Sequence, residues 1–142
     1  MNITERNITD IKPYDNNPRN NDAAVTPVMN SIREFGFKVP IVIDKDGIII
    51  AGHTRYRAAL ELKLKKVPCV VADDLTDQQV KAFRLADNKV SEFAKWDISK
   101  LEIELGSIFD LDMGSFGFDI GLDSPADDLD GVLEEEDGEL RP

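Results

Sequence analysis

The chain has 142 residues, 42% hydrophobic and 7% aromatic, enough for one ordinary core. It lacks any apolar run near the roughly 20 residues of a membrane-spanning helix, and its single cysteine, Cys69, excludes an internal disulfide and a multi-cysteine metal centre. The net charge of -11 is uneven: residues 1–100 carry 16 Lys and Arg against 14 Asp and Glu, whereas 101–142 carry one Arg against 14 acids.

The start of the chain has no basic-then-apolar leader, so a cytoplasmic protein without membrane contact is expected. Ile8 to Tyr14 reads as a short strand ended by Pro13, followed by the turn-rich loop Asp15-Asn16-Asn17-Pro18-Arg19. Arg19 closes a loop able to fold over a ligand. Thr26-Pro27 has the form of a helix N-cap with proline in the first helical position. Val25, Val28, Met29, Ile32 and Phe35 then keep three/four spacing up to a stop at Gly36. Val39–Ile43 and Ile48–Ile50 are apolar strands joined by a hairpin turn at Asp46-Gly47.

The next stretch, Ala51-Gly52-His53-Thr54-Arg55-Tyr56-Arg57-Ala58-Ala59, runs from strand to helix. A helix start presents amides that have no partner one turn earlier, under a partial positive charge, and Gly52 lets a ligand approach the backbone, so the stretch is a candidate anion site. Arg55 shares an inward stripe with Ala58, Ala59 and Leu62 and needs a partner there, either a ligand anion or a carboxylate of its own domain. Arg57, roughly 200° around the helix from Arg55, reaches the site from the rim. His53 reads either as a general acid or base or as a hydrogen-bonded turn residue.

Val67–Ala72 is a further strand, with Cys69 as a small core residue. Thr76-Asp77-Gln78-Gln79 has a capping-box pattern and opens a helix to about Val90 whose inward stripe is expected to be Val80, Phe83, Asp87 and Val90. Arg84 lies beside that stripe, to pair with Asp87 or to serve a ligand. Asp97 caps a last helix over 98–105 with Leu101 and Leu105 inward, and Phe109, Leu111, Met113, Phe116 and Phe118 form a closing apolar segment. A domain over 1–122 and an acidic, flexible tail over 123–142 complete the expected organisation.

The order of these features resembles the ParB/sulfiredoxin-like superfamily, the "ParB-like nuclease domain", over roughly residues 4–95. The resemblance rests on Asn17-Pro18-Arg19, Phe35-Gly36, Val39-Pro40-Ile41, the box from Ala51 to Ala59, and Val67-Pro68. Leu85-Ala86-Asp87-Asn88-Lys89, Trp96-Asp97 and Gly117-Phe118-Asp119 are similar to the phage and DNA-methyltransferase-associated branch. The resemblance implies an α/β fold of the α+β kind, a small mixed sheet packed by three or four helices.

In the partitioning branch the box reads Gly-Glu-Arg-Arg-x-Arg and grips the phosphates of CTP. Carried over, it implies a phosphate site at Gly52, His53, Thr54, Arg55 and Arg57, with Arg19 and Asn88, for a nucleoside triphosphate, CTP or ATP. Asp87 and Asn88 stand where the family has a Glu-Asn pair that helps hold Mg²⁺, so Asp87 is the implied metal ligand and, with His53, the implied catalytic pair. His53 replaces a hydrolytic glutamate, and Val39 replaces a polar residue before the proline. In sulfiredoxin a reactive cysteine holds the place of His53, so sulfinic acid reduction is not expected.

Two functions follow: a nucleotide-dependent regulatory module of a phage or DNA-modification system, or a Mg²⁺-dependent NTPase or nuclease. Expected partners are the nucleotide, DNA or a DNA methyltransferase or terminase component, and a second copy in a homodimer. For DNA contact the candidates are Lys63, Lys65, Lys66, Lys81, Lys89 and Lys95.

Overall fold

The computed structural model describes residues 2–20 and 22–118. The tail expected over 123–142, and the boundary expected at 122, lie outside them. The chain divides into two compact units, Met1–Ser91 and Glu92–Pro142.

In the first unit β-branched runs supply a four-stranded mixed sheet: β1 (Ile3–Asn7), β2 (Ile41–Ile43), β3 (Ile49–Ala51) and β4 (Lys66–Val71), in the order β1-β4-β2-β3. β1 is antiparallel to β4 with Thr4 opposite Cys69, β4 is parallel to β2 with Cys69 opposite Ile41, and β2 is antiparallel to β3. Helices α1 (Val25–Phe35), α2 (His53–Glu61) and α3 (Asp77–Ser91) complete it. α1 packs on α2, and α3 packs on β3. The core gathers Ile8, Ile11, Ile41, Ile43, Ile49, Ala59, Val67 and Cys69, with Phe37, Tyr56, Leu64 and Val71 against it. Burial pushes the Cys69 thiol above its ordinary pKa, as befits an inert core residue.

The hairpin turn stands where Asp46-Gly47 places it. Gly47 has φ +84°, and a Cβ there would come within 2.6 Å of the Asp10 carbonyl oxygen. Asp44 Oδ1 accepts from the amides of Asp46 at 2.8 Å and Ile48 at 3.0 Å, which closes the turn. The capping box forms reciprocally: Gln79 N donates to Thr76 Oγ1 at 3.1 Å, and Thr76 N donates to Gln79 Oε1 at 2.9 Å.

Four sequence expectations are corrected in the first unit. The first strand is Ile3–Asn7 and not Ile8–Tyr14: Ile8 and Ile11 are both buried across a 3-10 turn (Ile8–Asp10), where residues three apart share a face. All five β1 side chains are exposed, so it carried no alternation to read. α1 begins at Val25, straight after a second 3-10 turn (Asp22–Ala24), and no side chain caps it; Thr26 is already helical. Phe35 is 46% exposed, and Phe37 packs on the core in its stead. On α3 the buried residue is Arg84, at 3% exposure, while Phe83, Asp87 and Val90 face outward. Its inward row runs Val80, Arg84, Asn88, at four-residue spacing.

In the second unit, α4 (Ile98–Gly106) is capped by Asp97 Oδ1, which accepts from Lys100 N at 3.2 Å. Leu101 and Leu105 are partly buried, as their spacing predicts. The closing segment contains a 3-10 turn (Met113–Phe116), and the Trp96 and Phe118 rings stand 5.7 Å apart, tilted by 56°. Phe109, expected in the apolar segment, is exposed.

Candidate functional site

α2 starts where β3 ends, and Gly52 makes the junction. Its φ is +108°, and a Cβ would meet Arg55 Nη2 at 3.1 Å, Ile41 Cγ1 at 3.2 Å and Ile41 Cα at 3.3 Å. A side chain there is disfavoured by both conformation and space. The first i→i−4 bond is from Tyr56 N to Gly52 O, 2.9 Å, and no side chain caps the helix. His53, Thr54 and Arg55 therefore occupy its first turn, where the amides lack a carbonyl one turn earlier and the dipole is positive.

From this turn the side chains diverge. His53, Tyr56 and Arg57 lie on one face, at three- and four-residue spacing, and line a cleft of about 450 Å³ together with Tyr14, Arg19 and Asp22. His53 Nε2 accepts the Tyr14 amide at 3.1 Å. That bond requires an unprotonated Nε2 and so leaves the imidazole proton on Nδ1. Burial, and then the Arg84 charge, hold the His53 pKa below its ordinary value. Arg57 Nη1 lies 2.6 Å from Asp22 Oδ1, and Arg57 reaches the cleft from its exposed rim, as helical geometry requires. Arg19 Nη1 donates to Asn88 Oδ1 at 3.3 Å and Ser91 Oγ at 3.1 Å, which ties the 13–22 loop to α3.

Arg84 acts beneath the same loop. Its Nε donates to Ile49 O at 3.2 Å, and its guanidinium lies 3.7 Å from the centroid of the Tyr14 ring. The sequence allowed an ion pair between Arg84 and Asp87. Buried Arg84 instead takes a carbonyl and a π face, because Asp87 points outward on α3.

Arg55 lies apart from the cleft lining. Its Nη2 donates to Pro40 O at 3.1 Å, its buried Nε has no partner, and it forms no ion pair with a carboxylate among the described residues. Burial lowers its pKa, and the Asp87 charge partly restores it. The sequence-derived set thus falls in two groups: His53, Arg57 and Arg19, with Asn88 behind Arg19, on the cleft, and Gly52, Thr54 and Arg55 at the helix start, where Arg55 reaches toward Pro40 in the field of Asp87.

Among the described residues no three His, Cys, Asp or Glu side chains gather around a metal position. Asn88 Oδ1 already accepts from Arg19 Nη1. With Asp22 paired to Arg57, the sequence-derived set offers a Mg²⁺ ion one carboxylate, Asp87, so its other ligands would have to be phosphate oxygens and water. Of the lysines proposed for DNA, Lys63 and Lys65 are exposed between α2 and β4, Lys66 is exposed at the start of β4, and Lys81 and Lys89 are exposed on α3. Lys95 belongs to the second unit.

Sequence reasoning missed Tyr14, Asp22 and Ser91. Each is joined to the site by a contact spanning 35 to 72 residues, and no local pattern marks such a pairing.

The family model described as the ParB N-terminal domain matches residues 1–89. The ParB-like nuclease domain-containing protein YnaK of Escherichia coli (strain K12) is 40% identical over 80 residues, 56% of this chain and 92% of that one. Among solved structures, the C-terminally truncated chromosome-partitioning protein ParB from Caulobacter crescentus complexed with CTP-gamma-S matches with a TM-score of 0.59 and 27% identity. That match covers 69% of this chain and 57% of the other, so this chain spans little more than half of it. Sulfiredoxin from Arabidopsis thaliana matches with a TM-score of 0.50 and 28% identity, over 58% of this chain and 97% of that chain.

Proposed function

The chain belongs to the ParB N-terminal domain family, and from that premise we propose that it binds a nucleoside triphosphate at the start of α2 and acts as a nucleotide-dependent regulatory module of a DNA-associated system. One observation carries this reading. Three arginines lie at or near a glycine-opened, uncapped helix start, Arg55 in its first turn and Arg19 and Arg57 on the cleft beside it, and just one of them is paired with a carboxylate among the described residues. Such a surplus of positive charge suits a polyphosphate. CTP is the first ligand to test, because the Caulobacter relative was solved with CTP-gamma-S. Mg²⁺ would arrive with the phosphates, and Asp87 would supply the protein's carboxylate.

The geometry of His53 favours binding over turnover. A general base needs a free lone pair within reach of the proton it takes, and His53 Nε2 spends its lone pair on the Tyr14 amide. The alternative, a Mg²⁺-dependent NTPase or nuclease using His53 and Asp87, would require that bond to break. Leu85 to Lys89 and Trp96-Asp97 support the phage or DNA-modification setting, with a methyltransferase, a terminase component, DNA or a second copy as partner.

The test is a titration of the purified protein with CTP, ATP, GTP and UTP, with and without Mg²⁺, following thermal shift and phosphate release together. One nucleotide should raise the melting temperature while phosphate release stays at background. Arg55→Ala should weaken that binding about tenfold or more, the loss of a charge-assisted bond of roughly 1.5–3 kcal/mol. A protein that no nucleotide stabilises overturns the reading. A variant that binds as before but unfolds more easily makes Arg55 structural.

A further inference from the structure

Arg57 is the arginine that the protein neutralises from within. Its Nη1 lies 2.6 Å from Asp22 Oδ1, the length of a charge-assisted bond, and both side chains line the same cleft. Arg19, also on the cleft, is held by the neutral oxygens of Asn88 and Ser91 and forms no ion pair with a carboxylate among the described residues. Asp22 thus sets a carboxylate oxygen on Arg57 where a phosphoryl oxygen of a bound ligand would sit, because one guanidinium fork accepts both anions. The Asp22 side chain is 71% exposed and that of Arg57 45%. A pair so open to water stabilises the fold little, so Asp22 can leave for solvent without loss of the surrounding structure. Asp22 N donates to Asn20 Oδ1 at 3.0 Å, a local turn that does not involve the Asp22 side chain.

We propose that Asp22 is a built-in competing anion, which covers Arg57 in the free protein and is displaced by the phosphates of the incoming nucleotide. The proposal rests on the nucleotide-binding reading above and adds the regulation of that site. A ligand bearing one negative charge merely exchanges one carboxylate for an equivalent anion. A polyphosphate does more, because the same molecule also engages Arg19 and the start of α2. The exchange therefore sets a threshold that favours polyphosphates over small monoanions.

The experiment is calorimetric titration of wild type, Asp22→Asn, Arg57→Ala and the double variant, using CTP with Mg²⁺ and inorganic tripolyphosphate as probes. Asp22→Asn removes the charge and keeps the shape, and should tighten both probes about three- to tenfold, with the gain shrinking as salt rises. In the Arg57→Ala background the same change should leave affinity unaltered. Asp22→Ala, read beside it, separates lost charge from any disturbance of the turn. Wild-type binding that Asp22→Asn and Asp22→Ala leave unchanged or weaker overturns the competing-anion role and spares the nucleotide reading. A gain that persists without Arg57 also overturns it. Absence of binding by wild type and both Asp22 variants at millimolar probe overturns the nucleotide reading and this proposal with it.

Discussion

His53 is the chain's sole histidine, and its Nε2 accepts a backbone amide whose proton cannot be withdrawn. Protonating the ring would set two N–H groups against each other, in a half-buried place near the Arg84 cation. The folded pKa is accordingly held below the reference value of 6.5. The unfolded chain then binds the proton more readily, so this group's contribution is fully present above about pH 6.5 and is lost as pH falls through the folded pKa. Urea unfolding should show stability declining below that pH, and the single imidazole signal in NMR should titrate below 6.5. His53→Gln keeps an acceptor without the titration and should flatten the profile below about pH 6.5. An unchanged slope in the variant would assign the effect to other groups.

α3 shows how a helix can serve a site without entering it. Its capping box at Thr76 and Gln79 fixes where the helix begins, and therefore which residues face the sheet. With that start, Arg84 falls under Tyr14, and Asn88 and Ser91 fall beside Arg19. Thr76→Ala removes the acceptor for the Gln79 amide and should cost about 1 kcal/mol, read as a lower urea midpoint with unchanged slope. Stability equal to wild type would mean that packing on β3 alone sets the helix start. α2 follows the opposite rule: no side chain caps it, and a left-handed glycine opens it.

At the scale of the molecule, charge is unevenly spread along the chain. Residues 1–100 are close to neutral, and the acids concentrate beyond them. Among the described residues no helix is long and apolar enough to cross a membrane. If the domain ends near 122, a chain stopped after Leu122 should keep the urea midpoint and nucleotide affinity of the full chain, and lose much of its negative charge. A fall in either quantity would show that 123–142 belong to the folded or binding unit. Under the proposed DNA-associated role, any nonspecific contact made by the exposed Lys63, Lys65 and Lys66 should weaken steeply as salt rises.

What the sequence determined by itself was whatever a few neighbouring residues decide. The Asp46-Gly47 turn, the Thr76 capping box, the Asp97 cap and the Gly52-to-Ala59 strand-to-helix junction are each set by backbone conformations and hydrogen bonds within about one turn of chain, and all four stand where the residues place them. The fold family was legible for the same reason, because its motifs are local and keep their order. Tertiary structure decided the rest. β1 is held by backbone pairing to a strand some 60 residues on and shows no apolar alternation. Arg84 is buried because α3 lies over Ile49 and Tyr14, against the expectation for a charged side chain. The links from Tyr14 to His53, across 39 residues, and from Asp22 to Arg57, across 35, join groups that leave no mark on the chain between them. They arise only when the 13–22 loop is folded onto α2, since a contact between distant residues is stabilised by the packing that brings them together and not by any local preference.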